Sequence, residues 1–238
     1  MVYLYRMGSR VIITGTTGMV GKGVLLECLE HPEVSEALVV NRHPLGMTHP
    51  KLKEILHKDF HNLSAIKGQL QGYDACFFCL GVSVVGLNEE QYSRIIHDLT
   101  LHFAETVINP AMTFIYVSGA GSDSTEQGRS MWARVKGKTE NALLKMPFKA
   151  AYMFRPGLIL PMKGIKSRTV WYNAAYFVLR PFFSLMKNSP SVTDTVRVGK
   201  AMIHVMLHGS DKIYFENRDI NEVAVKLKSI PDAHGGRQ

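Results

Sequence analysis

Short apolar runs rich in β-branched and aromatic residues alternate with longer segments of helical period from the start of the chain to about residue 155. The runs are RVIIT (10–14), EALVVN (36–41), EILHKDF (54–60), YDACFFCL (73–80), TFIYVS (113–118) and AAYMFR (150–155), with KIYFE (212–216) following later. Strand-sized runs separated by helix-sized segments are the pattern of crossover units, and they predict an α/β fold with a mainly parallel sheet. Helices are expected near 18–30, 88–108, 132–146, 169–187, 194–208 and 219–228. Asn88 offers an N-cap for the second of these, and Asn109-Pro110 ends it. After Pro156 the alternation loosens. The pattern therefore predicts one domain over 1–238, in which 157–210 contribute a small cap lobe at the sheet edge.

Composition narrows this picture. A chain of 238 residues with 46% hydrophobic content can bury one substantial core. It contains no repeat and no low-complexity tract. No run of roughly 18 apolar residues predicts a membrane span. The first residues, MVYLYRMGSR, lack the apolar stretch and cleavage site of a secretory signal, so a soluble, cytoplasmic protein is expected. Cys28, Cys76 and Cys79 are too few for a disulfide framework. The C-x-x-C lies inside an apolar strand pattern, where its two side chains should point to opposite faces and pack in the core. His43, His49, His57 and His61 cluster in sequence but match no zinc spacing, and no metal site is expected.

Candidate chemistry begins where the first strand ends. RVIIT runs into TGTTGMVGKGVLLECL, which places Gly15, Gly18 and Gly21 in a G-x-x-G-x-x-G spacing between a strand and a helix. In that context Gly15 can make the tight turn, Gly18 lets backbone approach a pyrophosphate, and Gly21 lets helix and strand pack closely. Thr17, Met19 and Val20 belong to the same turn. N–H groups at the helix start then face the anion.

The end of the second strand bears on which dinucleotide fits. A carboxylate there usually binds the ribose hydroxyls of NAD. This chain has Asn41-Arg42-His43 instead. With no carboxylate to repel a 2′-phosphate and an arginine able to bind one, NADP(H) is favoured over NAD(H). Asp59-Phe60 would lie near the adenine, and Leu80-Gly81 would end the fourth strand beside the cofactor.

The glycine loop, CLG at 79–81, VSGAGS at 117–122, Lys136 and FRPG at 154–157 resemble the atypical, epimerase-like branch of the short-chain dehydrogenase/reductase superfamily. Within it the chain looks most like the TIP30-like NAD(P)-binding proteins and bacterial proteins labelled nucleoside-diphosphate-sugar epimerases. The later VTDTVRVGKAM (192–202) adds to the likeness. The resemblance implies a Rossmann-type, doubly wound sheet of about seven strands, with the cofactor across the strand ends and Pro156 beside it. It also implies a catalytic Ser, Tyr and Lys, with Tyr and Lys in Y-x-x-x-K on one helical face.

Lys136 matches the family lysine, and the tyrosine position is Trp132. An indole N–H is only a donor and does not exchange a proton in this pH range. Ser118, or alternatively Ser122, matches the serine. Without a phenol, Lys136 can still bind the nicotinamide ribose. Tyr116 and Tyr172 are the tyrosines that could replace the missing one, and Arg155 is expected to be a structural arginine at a strand end, with support of the cap or binding of an anionic substrate as the alternatives.

Charge adds a last candidate. The net charge is +8, and between Arg129 and Arg168 ten Lys/Arg face one acid, Glu140. Such a surplus suits an anionic substrate or a solvated face; no nucleic-acid-reading motif accompanies it. The stretch 167–188 combines aromatics with basic residues and is expected to pack on the sheet, line a lipid-like pocket, or touch a membrane or protein partner. Two functions stand open: an NADP(H)-dependent epimerase or reductase of unknown small-molecule substrate, and a non-catalytic NADP(H)-dependent regulatory or protein-interaction module.

Overall fold

β1 (Ser9–Thr14) is fully buried from Val11 onward and lies third in a seven-stranded sheet. The computed structural model describes residues 8–165 and 189–227. The other strands of the sheet are β2 (Val34–Asn41), β3 (Leu52–Leu56), β4 (Ala75–Phe78), β5 (Thr113–Val117), β6 (Ala150–Arg155) and β9 (Tyr214–Glu216). Their order is β3-β2-β1-β4-β5-β6-β9, and every pairing is parallel. The chain winds outward from β1 in one direction, then from β4 in the other. A crevice therefore opens at the C-terminal ends of β1 and β4, where doubly wound sheets bind their ligands.

Helices cover both faces. α1 (Met19–Glu30), α5 (Thr195–His208) and α6 (Asn217–Lys226) bury Val24, Leu25, Met202, Ile203 and Ile220 against Ile13, Phe77 and Phe215. On the opposite face, α3 (Leu99–Val107) and α4 (Met131–Leu144) pack Phe103 and Leu143 on Phe78, Phe114 and Tyr116. Cys76 joins this second core and Cys79 packs against the first, so the two thiols do point to opposite faces. Burial pushes Cys79 up to about 12, which keeps it an inert thiol.

Four expectations shift. The third strand ends at Leu56 rather than Phe60; beyond it the chain turns, with the His57 ring bonded to the carbonyls of Asp59 and Asn62. The segment 88–108 is three pieces: α2 (Glu89–Ser93), a π-helical turn (Arg94–Asp98) and α3. Asn88 does cap it, accepting from Gln91 N–H at 2.9 Å, while Gln91 returns a bond to Asn88 N–H. Two strands went unpredicted, β7 (Leu158–Leu160) and β8 (Val192–Asp194), which form a parallel pair of their own; three residues are too few to show a period. Within the expected cap region, α5 is a core helix packed on α1. The helix expected at 169–187, the 167–188 stretch and Tyr172 lie outside the described residues. Among the described helices none is long and apolar enough to cross a membrane.

Candidate functional site

The crevice starts at the glycine turn. Gly15 has φ +70°, and a Cβ there would lie 2.5 Å from the Cys79 carbonyl oxygen, so only glycine lets the turn pass this close to the end of β4. Gly18 N–H donates to the Gly15 carbonyl at 2.9 Å, and Gly21 brings the first turn of α1 against Gly15. Thr16 is buried beneath them and donates from its hydroxyl to Asn41 Oδ1 at 2.8 Å; Asn41 in turn donates to Glu54 at 3.0 Å. Asn41 thus ties the glycine turn to β2 and β3, a job that needs an amide with both a donor and an acceptor.

A groove runs from this turn across the ends of β1, β2 and β4. Gly15, Thr17, Gly18, Asn41, Arg42, Phe60, Leu80 and Gly81 line it, joined by His43 and Cys79. Met19, Val20 and Gly21 stand at the helix start behind it. Asp59 does not line it: its carboxylate accepts from His61 N–H at 3.0 Å and is exposed. Arg42 is exposed at the rim and makes no ion pair among the described residues. The bare glycine backbone, the helix start and an uncommitted guanidinium fit a dinucleotide.

At the other end of the crevice lies the turn after β5. Ser118 is 2% exposed, and its hydroxyl donates to Glu140 Oε1 at 2.5 Å. Glu140, on α4, is fully buried and also accepts from the Arg155 guanidinium through both carboxylate oxygens. Arg155 Nη2 reaches Ser124 Oγ at 2.5 Å, and its guanidinium lies 4.3 Å from the centre of the Tyr214 ring. The bond to Glu140 raises the Arg155 pKa above the ordinary arginine value. Arg155 is therefore the buried partner of Glu140 and is not presented to a substrate. Ser122 donates to the Gly119 carbonyl at 2.8 Å, and Ala120 N–H donates to the carbonyl of buried Pro156 at 3.0 Å.

Lys136 extends from α4 to this same turn, where its ammonium donates to the Ser118 carbonyl. Burial lowers its pKa below that of an ordinary lysine, and Glu140 offsets part of the effect. Trp132 stands one helical turn earlier, with its ring edge against Gly121 and the Lys136 Nζ 5.9 Å from the ring centre. It packs with Met131, Val84 and Leu87 on a small cluster of Tyr92, Ile96 and Val135. Tyr116 is 1% exposed on the α4 side of the sheet, and desolvation drives its phenol far above the usual value. It stays a buried, protonated phenol in the second core.

The structure thus brings Ser118, Trp132 and Lys136 together, and gathers most of the expected cofactor residues in the groove. Sequence reasoning missed Glu140 as the hub of the buried network. Its signal was present: it is the one acid in the basic span, four residues after Lys136 on the same helical face. The basic span is not one surface. Arg134 pairs with Glu89, Arg155 with Glu140, Lys163 with Glu27 and Glu30, and Lys136 is turned inward.

Comparison with known proteins agrees with this geometry. No protein-family model matches the chain. Protein FMP52, mitochondrial, of Saccharomyces cerevisiae is 26% identical over 231 residues, covering 92% of this chain and 98% of that protein. Protein HTATIP2 of Rattus norvegicus is 27% identical over 153 residues, spanning 63% of this chain and 62% of its own length. Among solved structures, the Bordetella bronchiseptica enzyme WbmF in complex with NAD+ superposes with a TM-score of 0.66 at 15% identity, covering 94% of this chain and 78% of that one. The mitochondrial names of the FMP52 relatives overturn the cytoplasmic expectation. That expectation rested on the pattern of a secretory signal, which does not distinguish cytoplasm from mitochondrion. Fold, glycine turn and relatives together support the likeness to the atypical, epimerase-like, NAD(P)-binding short-chain dehydrogenase/reductases.

Proposed function

We propose that the chain binds NADP(H) in the groove and acts as a reductase or epimerase of the atypical short-chain dehydrogenase/reductase type, without the family tyrosine. The observation that carries the cofactor reading is Arg42 at the rim, uncommitted, where a carboxylate would favour NAD. Its guanidinium suits a 2′-phosphate by a charge-assisted fork. Gly15, Thr17, Gly18 and the N–H groups of α1, with Met19, Val20 and Gly21 at its start, would hold the pyrophosphate. Phe60 and Leu80-Gly81 would flank the adenosine, and Lys136 and Pro156 stand toward the nicotinamide end. When bound, the cofactor supplies or accepts a hydride.

The protein's own residues set the rest. The wall of Trp132, Met131, Val84 and Leu87 beside the turn is apolar and favours a substrate with an apolar body. Ser118 holds the turn through Glu140 and has no second proton to offer a substrate oxygen. That commitment, with Trp132 in the tyrosine position, favours as a second reading a non-catalytic protein that uses NADP(H) as a structural or regulatory ligand. The FMP52 names make mitochondria the compartment in which to look for the protein.

Fluorescence titration of the purified protein with NADPH and NADH, repeated on Arg42→Ala, tests the cofactor reading. NADPH should bind more tightly than NADH, and the substitution should remove the difference. Equal affinity for both before the substitution would overturn the preference, and no binding of either would overturn the reading itself.

A further inference from the structure

We propose that Lys136 is itself the proton donor and acceptor of the reaction, in place of the absent tyrosine. The proposal rests on the NADP(H) reading above and deepens it by assigning the acid-base group.

Among the described groups that carry an exchangeable proton at this turn, all but one are already committed or sealed away. Ser118 Oγ has its single proton on Glu140 and is buried. Ser122 Oγ has its proton on the Gly119 carbonyl. Trp132 offers an indole N–H that does not ionise in the working range. Tyr116 is sealed in the core on the α4 side of the sheet. An ammonium has three protons, and Lys136 spends one on the Ser118 carbonyl. No other described residue takes the remaining two.

Access is open in the right direction. A Cβ built on Gly119 would stand 3.3 Å from Lys136 Nζ, so only a hydrogen separates the amine from the outer side of the turn. Gly119 has φ +128°, Ala120 is exposed and Gly121 has φ +85°, so the turn presents almost no side chain. The groups that face the amine are few. On its own helix Glu140 is neutralised by Arg155 from β6. At the turn, the Asp123 carboxylate is taken up by Thr125 and the Gly128 N–H. From α2, Glu89 is paired with Arg134. Trp132 and Val135 supply apolar cover. A lysine without a direct carboxylate partner, pressed against apolar surface, loses more of its charged form than a solvated one. That moves it toward the range where an amine exchanges protons efficiently.

The step balances. As the substrate's carbonyl carbon gains the hydride supplied by the reduced cofactor, the C=O π pair moves onto oxygen and takes a proton from the Lys136 ammonium. The neutral amine left behind recovers its proton from water. One carbonyl, one hydride and one proton give one alcohol, and the reverse runs an alcohol oxidation with the neutral amine as base.

The test uses the full-length protein and two readouts. In the first, lysines are pulse-labelled with acetic anhydride across a pH series and quantified by mass spectrometry. Lys136 should reach half-reactivity at lower pH than the exposed Lys138 and Lys145, and NADPH should protect it. In the second, NADPH-dependent reduction of 9,10-phenanthrenequinone is followed for wild type, Lys136→Arg and Trp132→Tyr, with NADPH affinity measured on the same samples. Arginine keeps the charge and donors but cannot give up a proton at these pH values. Lys136→Arg should therefore retain NADPH affinity within about threefold and lose on the order of 100-fold in kcat/KM, the scale of general acid-base catalysis. The proposal is overturned by Lys136 labelling in step with the exposed lysines, by Lys136→Arg keeping its rate, or by an inactive wild type, whether or not Trp132→Tyr gains a rate. Failure of wild type to bind NADPH would show up separately in the titration, and it would remove the cofactor reading along with the proposal.

Discussion

The two ends of the crevice are built on opposite principles. At the end proposed for the adenosine, between β1, β2 and β4, bare glycine backbone meets the side chains of Thr17, Phe60 and Leu80, and Arg42 stands uncommitted at the rim. At the reaction end, after β5, nearly every polar side chain is already engaged: Ser118 and Arg155 with Glu140, Ser122 with Gly119, Asp123 with Thr125 and Gly128. The first end keeps its donors free for a ligand, whereas the second spends them on its own shape. The proposed ligand binding and the proposed proton transfer would therefore be separable, and a fold that retains the first need not retain the second in the usual form.

The largest effect should come from cutting the hub of the committed end. Glu140→Ala would take from the largely buried Arg155 guanidinium its bidentate partner, leave it Ser124 Oγ and a 4.0 Å approach to Glu216, and free the Ser118 hydroxyl; breaking a buried pair costs about 3–5 kcal/mol. In a chain of this size that lowers Tm by roughly 10 °C, read by thermal unfolding. If Tm hardly moves, the contrast between a self-satisfied end and an open one is mistaken.

Arg42→Ala should do the reverse at the open end. Arg42 is exposed and makes no ion pair among the described residues, so Tm should stay within about 1 °C, as expected for a surface position. NADPH affinity should fall by about 10- to 100-fold, the worth of one or two charge-assisted hydrogen bonds, with NADH affinity unchanged. A loss of stability matching Glu140→Ala would erase the distinction between the two ends.

What the sequence made legible follows the same division. The adenosine end is local: a strand, three spaced glycines and a helix, with Arg42 at the next strand's end. A pattern of neighbours in sequence carries all of it. The reaction end depends on where side chains from distant elements point. Ser118 reads as the match to the family serine until α4 brings Glu140 against it, 22 residues away. Arg155 reads as a structural arginine at a strand end, which it is, but the carboxylate that holds it comes from α4 and does not show in the sequence around it. β7 and β8 escaped because strands of three residues show no alternation, and the π-helical turn at Arg94–Asp98 escaped because its apolar spacing mimics a continuous helix. The end of β3 was overrun because His57, Asp59 and Phe60 follow an apolar run without a glycine or proline to mark the turn.

Trp132→Tyr probes the committed end with a milder change. The ring is half-buried against Gly121, Met131 and Leu87, and a smaller aromatic leaves a modest gap, so a loss of about 1 kcal/mol is expected. NADPH affinity should be unaffected. A large loss in affinity would mean that the indole touches the cofactor and that the two ends overlap.

The smallest effect, and the cleanest control, lies at the opposite ends of the strands from the crevice. Burial alone would raise the Glu36 carboxyl, but hydrogen bonds from Lys53, Tyr73 and Arg10 outweigh it and bring it down to about 2. A carboxylate held below its unfolded value of about 4.3 adds stability that is fully present above that value and fades as pH falls toward 2. Glu36→Gln should therefore flatten the acid limb of the stability curve between about pH 4.5 and 2, measured by denaturant unfolding at several pH values. At pH 7 it should leave NADPH affinity and Lys136 labelling as they are, since Glu36 pairs at the start of β1 and β2 and both ends of the crevice lie at the strands' other ends. If acid sensitivity persists unchanged in this variant, the proton uptake comes instead from the crevice, and the committed end would be the place where the fold gives way first.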